Sequence, residues 1–326
     1  MYKKWMAIVL AAAIAGGGMV RAYASETEDT DKKYIKWVDF DVTAEAMEAA
    51  LQADMDTHGS EREVNWVELL AALGVRYGGD FSRYKRSDLK ALIASYADGT
   101  DFCILSKNEK AFAYYKEAYG TVLDGIVGPY REIASDGTCT DGYGLRAFAP
   151  IAQGYGYSHY DDFGSSRSYG YKRKHLGHDL MGSVGTPIIA VEGGYVEACG
   201  WNQYGGWRLG IRSFDGKRYY YYAHLRKNHP YTDMYEGKIV DAGEVIGYLG
   251  MTGYSRKENT NNIDVPHLHY GMQLIFDPCQ KDGWNQIWID MYELTKFLSR
   301  NASTVYKGED GELHAKAVRI AENSLD

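Results

Sequence analysis

Apolar residues recur at helical spacing through much of the region from residue 34 to residue 130. Positions three or four residues apart share one face of a helix, and this pattern predicts three or four amphipathic helices. Gly59 follows the first apolar repeat and is expected to stop that helix. The repeat itself consists of Met47, Ala50, Leu51 and Met55.

Two polar pairs mark expected starts of later helices in the same region. Asn65 and Glu68 resemble a capping box, in which the side chains at the first and fourth positions bond to exposed backbone amides. Gly74 is expected to end that helix, since glycine readily adopts the left-handed conformation of a helix terminus. Ser106 and Glu109 form an S-x-x-E box before a further helix.

The pattern changes after about residue 136, where helical periodicity is lost and glycine and tyrosine become frequent. Asp215-Gly216 between two apolar runs is a strong signal for a β-hairpin. Short strands with glycine turns and no helices between them favour an antiparallel sheet. Strands are predicted at 187–191, 195–199, 208–214, 218–225, 245–249 and 267–276. A final helix is predicted from the apolar stripe Ile287, Met291, Leu294 and Leu298.

These patterns predict an α+β chain with four segments. A helical region (34–135) is followed by a sheet domain with a C-terminal helix (136–326). Residues 1–24 combine Lys3 and Lys4 with an apolar run and a small-x-small site, which is typical of an export signal that is either cleaved or kept as an anchor. Residues 25–33 are polar and acidic and are expected to form a tether. The rest of the chain is therefore expected outside the cytoplasm.

The net charge and the cysteine spacing argue against a nucleic-acid-binding protein and against a zinc site built from cysteines. The formal net charge is -8 and no basic run is present, so nucleic acid is not expected as a partner. None of the four cysteines forms a C-x-x-C pair, which argues against a cysteine zinc site. They are Cys103, Cys139, Cys199 and Cys279, and the sequence leaves open whether they are free thiols or disulfides.

Of the six histidines between residues 175 and 269, five stand in contexts that look arranged for chemistry. His267 and His269 are two apart on a predicted strand, so their side chains face the same way, as a metal ligand and a proton-transfer group would require. A solvated strand face is the alternative explanation. His175 and Asp179 supply the imidazole and carboxylate that zinc commonly takes, in a turn that enters a strand. His224 ends a hairpin strand and, taken alone, suggests a structural role.

Taken together, these pieces resemble the lysostaphin-like, or LytM-type, zinc metallopeptidases, which cut peptidoglycan peptides. The resemblance covers residues 170–276. Its elements, in the family's order, are H-x-x-x-D, G-T-P, Y-A-H-L, G-x-T-G and H-L-H. In this chain they read HLGHD, GTP, YAHL, GMTG and HLH. The fold implied is the duplicated-hybrid-motif type of antiparallel sheet.

The resemblance also implies roles for particular residues. His175, Asp179 and His269 match the family's zinc ligands, and His224 and His267 match its two unliganded active-site histidines. A Zn²⁺-dependent endopeptidase acting on peptidoglycan cross-links or stem peptides is therefore expected, either secreted or associated with the cell envelope. The alternative is a catalytically silent scaffold or activator in cell-wall or sporulation complexes, since some members of this fold have lost zinc ligands.

Two features depart from that pattern or add to it. Residues 255–265 separate the G-x-T-G and H-L-H elements, which normally follow each other closely, and are expected to form a surface loop at the cleft. His178 adjoins Asp179 and is interpreted as a structural neighbour of the site rather than a ligand. The chain has no H-E-x-x-H sequence, so a glutamate-base mechanism of that type does not apply.

Overall fold

A computed structural model describes residues 34–168 and 172–321 of the chain. The predicted export signal (1–24) and tether (25–33) lie outside the described residues. Within the described part of the chain, no helix has the length and apolarity needed to cross a membrane. All four cysteines in these segments are free thiols.

The N-terminal region is helical, as predicted, but it contains five α-helices where the apolar periodicity predicted three or four. Side chains of Thr43 and Asn65 cap the first two by accepting bonds from backbone amides three residues on. Each helix buries one apolar face, and α2 packs most extensively against α5. The helices are α1 (Ala44–Thr57), α2 (Trp66–Tyr77), α3 (Arg86–Ala97), α4 (Phe102–Ser106) and α5 (Glu109–Leu123).

Two predicted helix boundaries are wrong. Helix α2 continues through Gly74 and ends at Gly78, whose φ of 65° is left-handed. A Cβ atom at Gly74 would lie 3.0 Å from the ring of Tyr119 on α5, so this glycine serves close helix packing. Helix α5 is capped by Asn108, not by Ser106, because the Asn108 side chain accepts from a backbone amide of the first turn.

The rest of the chain is mainly antiparallel sheet, which confirms the α+β class. The strands before the central hairpin are β1 (Val127–Ala134), β2 (Cys139–Leu145), β3 (Ser158–His159), β4 (Ser166–Arg167), β5 (Arg173–Lys174), β6 (His178–Met181), β7 (Pro187–Ile189) and β8 (Gly194–Asn202). They are followed by β9 (Gly206–Ser213), β10 (Arg218–Ala223), β11 (Ile239–Val240), β12 (Val245–Tyr248), β13 (His267–Leu274) and β14 (Ile287–Ile289). Helix α6 (Tyr292–Leu298) precedes β15 (Val305–Lys307), β16 (Leu313–Ala315) and β17 (Ala317–Ala321).

The principal sheet has the order β11-β8-β9-β10-β13-β6-β3, and β14 pairs with β13 beside β6. Strands β9 and β10 form the hairpin predicted around Asp215-Gly216. Strand β10 pairs on its other side with β13, which carries the H-x-H sequence. The central strands therefore bring the sequences around His224 and His267 to neighbouring positions at one end of the sheet.

The final helix begins later than predicted. Ile287 and Ile289 are buried in strand β14, which pairs with residues 272–274 of β13. Strand β6 pairs with only the first four residues of β13, from His267 to Tyr270. The remaining edge of β13 is thus available to β14, and sheet pairing replaces the first turn of the predicted helix.

The helices and the principal sheet share one hydrophobic core. Trp66 of α2 stacks on Phe297 of α6 with ring centroids 6.0 Å apart. The buried guanidinium of Arg218 on β10 donates to the carbonyl of Thr121 on α5 at 2.8 Å. The boundary predicted between residues 135 and 136 falls in the turn of the β1–β2 hairpin, and a division into separate domains there remains a prediction.

Candidate metal centre and active site

Three potential metal ligands, His175, Asp179 and His269, meet at one end of the principal sheet. His175 directly follows β5, Asp179 lies on β6, and His269 lies opposite Asp179 on β13. His175 Nε2 is 2.8 Å from His269 Nδ1 and 3.1 Å from Asp179 Oδ1. His269 Nδ1 is 3.3 Å from that same oxygen. Among the described residues, this is the group of three metal-ligating side chains that the fold brings together.

This donor set fits a zinc ion. Bonds of 2.0–2.2 Å in tetrahedral geometry place neighbouring donors roughly 3.3 Å apart, close to the separations found here. Two imidazole nitrogens that face each other need a proton or a cation between them. Burial raises the pKa of Asp179, but bonds to His175 and His269 outweigh burial and lower it, so this carboxylate is held ionised. Ionised carboxylate and neutral imidazole are the forms that bind metal.

Gly177 explains how these three residues come so close. A Cβ atom there would lie 2.6 Å from the carbonyl oxygen of Tyr270 and 2.9 Å from the ring of His269. Any other side chain would push the segment between His175 and Asp179 away from β13. The glycine inside H-L-G-H-D is therefore required for the approach of two ligands to the third.

His224 and His267 stand beside the three donors. Their rings are 4.8 Å apart between centroids, and the ring of His224 is 5.9 Å from that of His269. His267 Nε2 is 3.7 Å from the Oδ1 atom of Asp179. The structure thus gathers all five residues singled out in the sequence at one place.

Backbone carbonyls fix the tautomers of both histidines. His224 Nδ1 is 2.9 Å from the carbonyl oxygen of Thr252, and His267 Nδ1 is 2.8 Å from that of Val265. A carbonyl oxygen only accepts, so each Nδ1 carries a hydrogen, and in the neutral imidazole the lone pair is then on Nε2. Burial, with His267 and His269 nearby, lowers the pKa of His224 well below its ordinary value and favours the neutral imidazole.

The GMTG sequence provides the backbone that holds His224. His224 itself has a φ of 63°, which is uncommon outside glycine and marks a constrained position. Gly253 has a φ of 126°, and a Cβ atom there would lie 2.5 Å from the Tyr204 carbonyl oxygen and 3.0 Å from His224 Nδ1. Thr252 Oγ1 donates to the Leu225 carbonyl at 2.6 Å, which ties the two segments together.

Two residues that the sequence did not point to, Asp162 and Arg167, support the metal ligands. His175 Nδ1 lies 3.1 Å from the carbonyl oxygen and from a carboxylate oxygen of Asp162, and also 3.1 Å from a guanidinium nitrogen of Arg167. The two acceptors on Asp162 favour the tautomer with the hydrogen on Nδ1, which leaves Nε2 for the metal. One guanidinium nitrogen of Arg167 lies 2.7 Å from Asp162 Oδ2 and 2.7 Å from Asp179 Oδ2. Asp162 thus orients His175, and Arg167 holds the outer oxygen of Asp179.

His178 lies outside the donor group. It is fully buried, its Nδ1 is 3.1 Å from the Tyr160 carbonyl, and its Nε2 is 2.9 Å from Asp290. Burial lowers the pKa of His178, but the Asp290 carboxylate outweighs burial and raises it. These contacts fit the structural role expected for this residue. Neither Asp162 nor Asp290 stands at a spacing that the sequence alone would connect to the site.

Comparisons with known proteins agree with this geometry. The model of Peptidase family M23 matches residues 173–281. The chain is 35% identical over 178 residues to an L-Ala-D-Glu endopeptidase of Bacillus subtilis, which covers 49% of this chain and 52% of that protein. It is 36% identical over 97 residues to lysostaphin of Staphylococcus simulans, which covers 29% of this chain and 17% of lysostaphin. The chain thus spans about half the length of the first relative and less of the second.

A solved structure from Ruminococcus gnavus, provisionally assigned as a glycyl-glycine endopeptidase lytM, has a similar fold. It superimposes with a TM-score of 0.55 at 19% identity and covers 83% of this chain and 92% of that one. At this identity the likeness concerns the fold alone. Because it covers 83% of the chain, the likeness includes helices as well as the sheet.

Proposed function

We propose that this protein is a zinc-dependent endopeptidase that hydrolyses peptide bonds of bacterial peptidoglycan outside the cytoplasm, since residues 173–281 match the model of Peptidase family M23. The observation that carries the proposal is the convergence of five side chains. Three donors lie within 3.3 Å of one another, and two further histidines stand beside them. The relatives that cleave such peptides add support.

In the proposed site, His175 Nε2, Asp179 Oδ1 and His269 Nδ1 hold zinc. A zinc ion bound by three protein ligands supplies a Lewis acid that polarises a carbonyl group and acidifies water. Asp162 and Arg167 keep two of these ligands in place through the contacts at 2.7–3.1 Å. Two neutral imidazoles and one carboxylate carry a net charge of -1, which would balance half of the +2 charge of a zinc ion.

His224 and His267 are the proposed catalytic residues. Each presents an Nε2 lone pair, so either can accept a proton from the attacking water, whose oxygen forms a bond to the scissile carbonyl carbon. The protonated imidazole then donates to the leaving amide nitrogen as the C–N bond breaks. The other histidine takes a proton at Nε2 from solvent before the reaction and donates it in a hydrogen bond to the oxygen that gains negative charge.

The substrate class follows from the relatives and is part of the proposal. The more extensive curated match is named for cleavage of an L-Ala-D-Glu bond, a bond of the peptidoglycan stem peptide, whereas lysostaphin gives a shorter match. We therefore propose stem peptides as the substrates to test first. Residues 255–265, between the G-x-T-G and H-L-H elements, are proposed to shape the substrate groove.

A catalytically silent scaffold is the second candidate. Such a role is expected where ligands or catalytic histidines have been replaced. In this chain all five are present, and Asp162 and Arg167 support two of the ligands. No observation among the described residues favours the scaffold over the enzyme.

The test is digestion of purified muropeptides by the zinc-loaded protein, with mass analysis of the products. We expect new fragments whose masses differ by the addition of one water and identify one peptide bond. Removal of zinc with a chelator should stop the reaction, and added zinc should restore it. Binding of muropeptides without cleavage, at full zinc occupancy, would support the scaffold instead.

A further inference from the structure

Arg208 is an arginine of the principal sheet that the proposed mechanism does not use. It lies on β9 and is partly buried. Its Nη1 atom is fully buried, and no residue in the described part of the chain accepts a hydrogen bond from it. A buried N–H group without an acceptor lowers the stability of the fold, because it has lost its bonds to water. A group of this kind on the sheet therefore suggests that a ligand supplies the acceptor.

The register of the strands places Arg208 on the face of the sheet that carries His269. Gly210 on β9 lies opposite Tyr221 on β10, and Tyr221 lies opposite Gly271 on β13. Arg208 and His269 each stand two residues from this row, so their side chains project from the same face. Two strand spacings separate them, which is about 10 Å between the backbones. A peptide that extends from the metal centre across this face would therefore reach Arg208.

Two tyrosine rings of β10 lie near Arg208 on this face. The ring centroid of Tyr221 is 5.8 Å from that of His269. Tyr219 lies flat over Gly210, since a Cβ atom on that glycine would overlap the tyrosine hydroxyl. Burial raises the pKa of both tyrosines, and the positive charge of Arg208 opposes the rise in each. The guanidinium of Arg208 is therefore close to both rings, and Tyr221 also borders the metal centre.

Arg212, two residues further along β9, has an acidic partner that Arg208 lacks. Its Nε and Nη2 atoms donate to Glu197 at 2.8 and 3.0 Å, and its guanidinium carbon is 4.7 Å from the ring centroid of Tyr219. Lys281 Nζ also lies 3.2 Å from Glu197. One carboxylate thus pairs with two cations, and no carboxylate of the described residues pairs with Arg208. This excess of positive charge, on a chain of net charge -8, favours a ligand that carries negative charge.

We propose that Arg208 binds a carboxylate of the substrate peptide and thereby selects acidic peptides over neutral ones. This inference rests on the proposed function and specifies its substrate. The planar guanidinium suits a carboxylate, with two parallel hydrogen bonds, and one of them would give Nη1 its acceptor. A stem peptide offers a carboxylate at its C-terminus and another at D-Glu, which is joined to the next residue through its side chain. A glycyl-glycine bond within a bridge has no such group beside it.

The experiment uses four synthetic stem peptides that differ only at the D-Glu α-carboxylate and the C-terminal carboxylate. One peptide keeps both carboxylates, two carry a carboxamide at one position, and the last carries carboxamides at both. The kcat/KM of each peptide is measured with zinc-loaded wild type and with Arg208→Gln, Arg208→Lys and Arg62→Gln. Arg62 is the matched control in the helical region. Its guanidinium also lies near a tyrosine, Tyr96, and its Nε atom is also buried without an acceptor among the described residues.

We expect one of the two carboxamides to lower the wild-type kcat/KM by roughly 10- to 100-fold, as for loss of a hydrogen-bonded charge pair. The position with this effect identifies the carboxylate that is bound. Arg208→Gln should cleave the acidic peptide about as slowly as the wild type cleaves that amide, and the same carboxamide should then have little further effect. Its zinc content should be unchanged. Arg208→Lys should retain part of the preference, and Arg62→Gln all of it.

Two results would overturn the inference alone. One is a wild type that cleaves all four peptides at similar rates. The other is an Arg208→Gln variant that keeps the full preference, or that slows acid and amide peptides equally, because equal slowing indicates a structural role. If Arg208→Gln does not fold by circular dichroism, Arg208→Lys decides, since it must show a smaller preference than the wild type. Absence of cleavage of every peptide by zinc-loaded wild type would contradict the proposed function, and the inference with it.

Discussion

The N-terminal helices and the sheet bury different kinds of side chain. In the part of the chain that the structure describes, fourteen polar or charged residues are buried, and only two of them, Asp54 and Thr121, lie in helices α1–α5. The other twelve lie in the sheet region, including His175, His178 and His224. The helical region is stabilised mainly by the packing of apolar side chains, whereas the sheet region also depends on buried polar groups that bond to partners.

This difference indicates where substitutions will affect function. A buried polar group needs a partner at a defined distance and angle, and its loss leaves another group unsatisfied. An apolar group mainly needs space of suitable shape. Substitutions at the site should therefore reduce zinc binding or turnover with little effect on folding. Substitutions in the helical core should lower the stability of the fold with little effect on zinc binding or turnover.

The largest expected effect follows removal of a metal ligand. Asp179→Ala or His269→Ala should lose the roughly one zinc per chain expected for a three-ligand site, together with all measurable muropeptide cleavage. Metal analysis of the purified protein and the cleavage assay check this. His314→Ala is a suitable control, because His314 is half-buried and bonds to Asp310 outside the site. Stoichiometric zinc in both ligand variants would mean that the ligands are wrongly assigned.

A smaller effect is expected from the unliganded histidines. His224→Ala and His267→Ala should keep zinc and lower kcat on the order of 10²-fold or more, because a proton acceptor or an oxyanion donor is lost. Zinc content and kcat measured on the same samples separate this result from loss of metal. If His267→Ala lost zinc while His269→Ala kept it, the roles within H-L-H would be exchanged.

Substitution of Asp162 or Arg167 should weaken zinc binding without abolishing it. Activity measured in excess zinc should fall only modestly. Asp162→Asn weakens the acceptor of the His175 Nδ1–H, and Arg167→Gln releases the outer oxygen of Asp179. We expect zinc affinity to fall roughly 10- to 100-fold in each variant. Competition with a chromophoric chelator measures it. An affinity equal to that of the wild type would show that these contacts do not support the metal site.

The smallest effect on activity is expected in the helical core. Leu70 on α2 is fully buried, and Leu70→Ala should lower the free energy of unfolding by about 2–5 kcal/mol. Its zinc content and its kcat under folding conditions should match those of the wild type. Urea unfolding gives the stability, and the same muropeptide assay gives kcat. A large loss of kcat in fully folded protein would show that the helices shape the active site.

Much of the candidate site could be predicted because its sequence motifs are short and local. The alternation of a strand puts His267 and His269 on one face, and the five sequence elements occur in the order that LytM-type peptidases share. The hairpin at Asp215-Gly216 was also visible, since the turn depends on those residues themselves. Two predicted boundaries, at Gly74 and Ile287, are wrong because each residue contacts a distant segment of the chain.

The sequence by itself determined the helical and strand periodicities and the hairpin, because each depends on neighbours a few residues away. The five candidate site residues came from the resemblance of its motifs to those of LytM-type peptidases. Only the tertiary structure decided that Asp162 orients His175, that Arg167 holds Asp179, and that residues 287–289 form a strand. It also decided that helices and sheet share a core. These features depend on which strand edge, pocket or charged group remains available after distant segments have packed. The spacing of residues along the sequence does not contain that information.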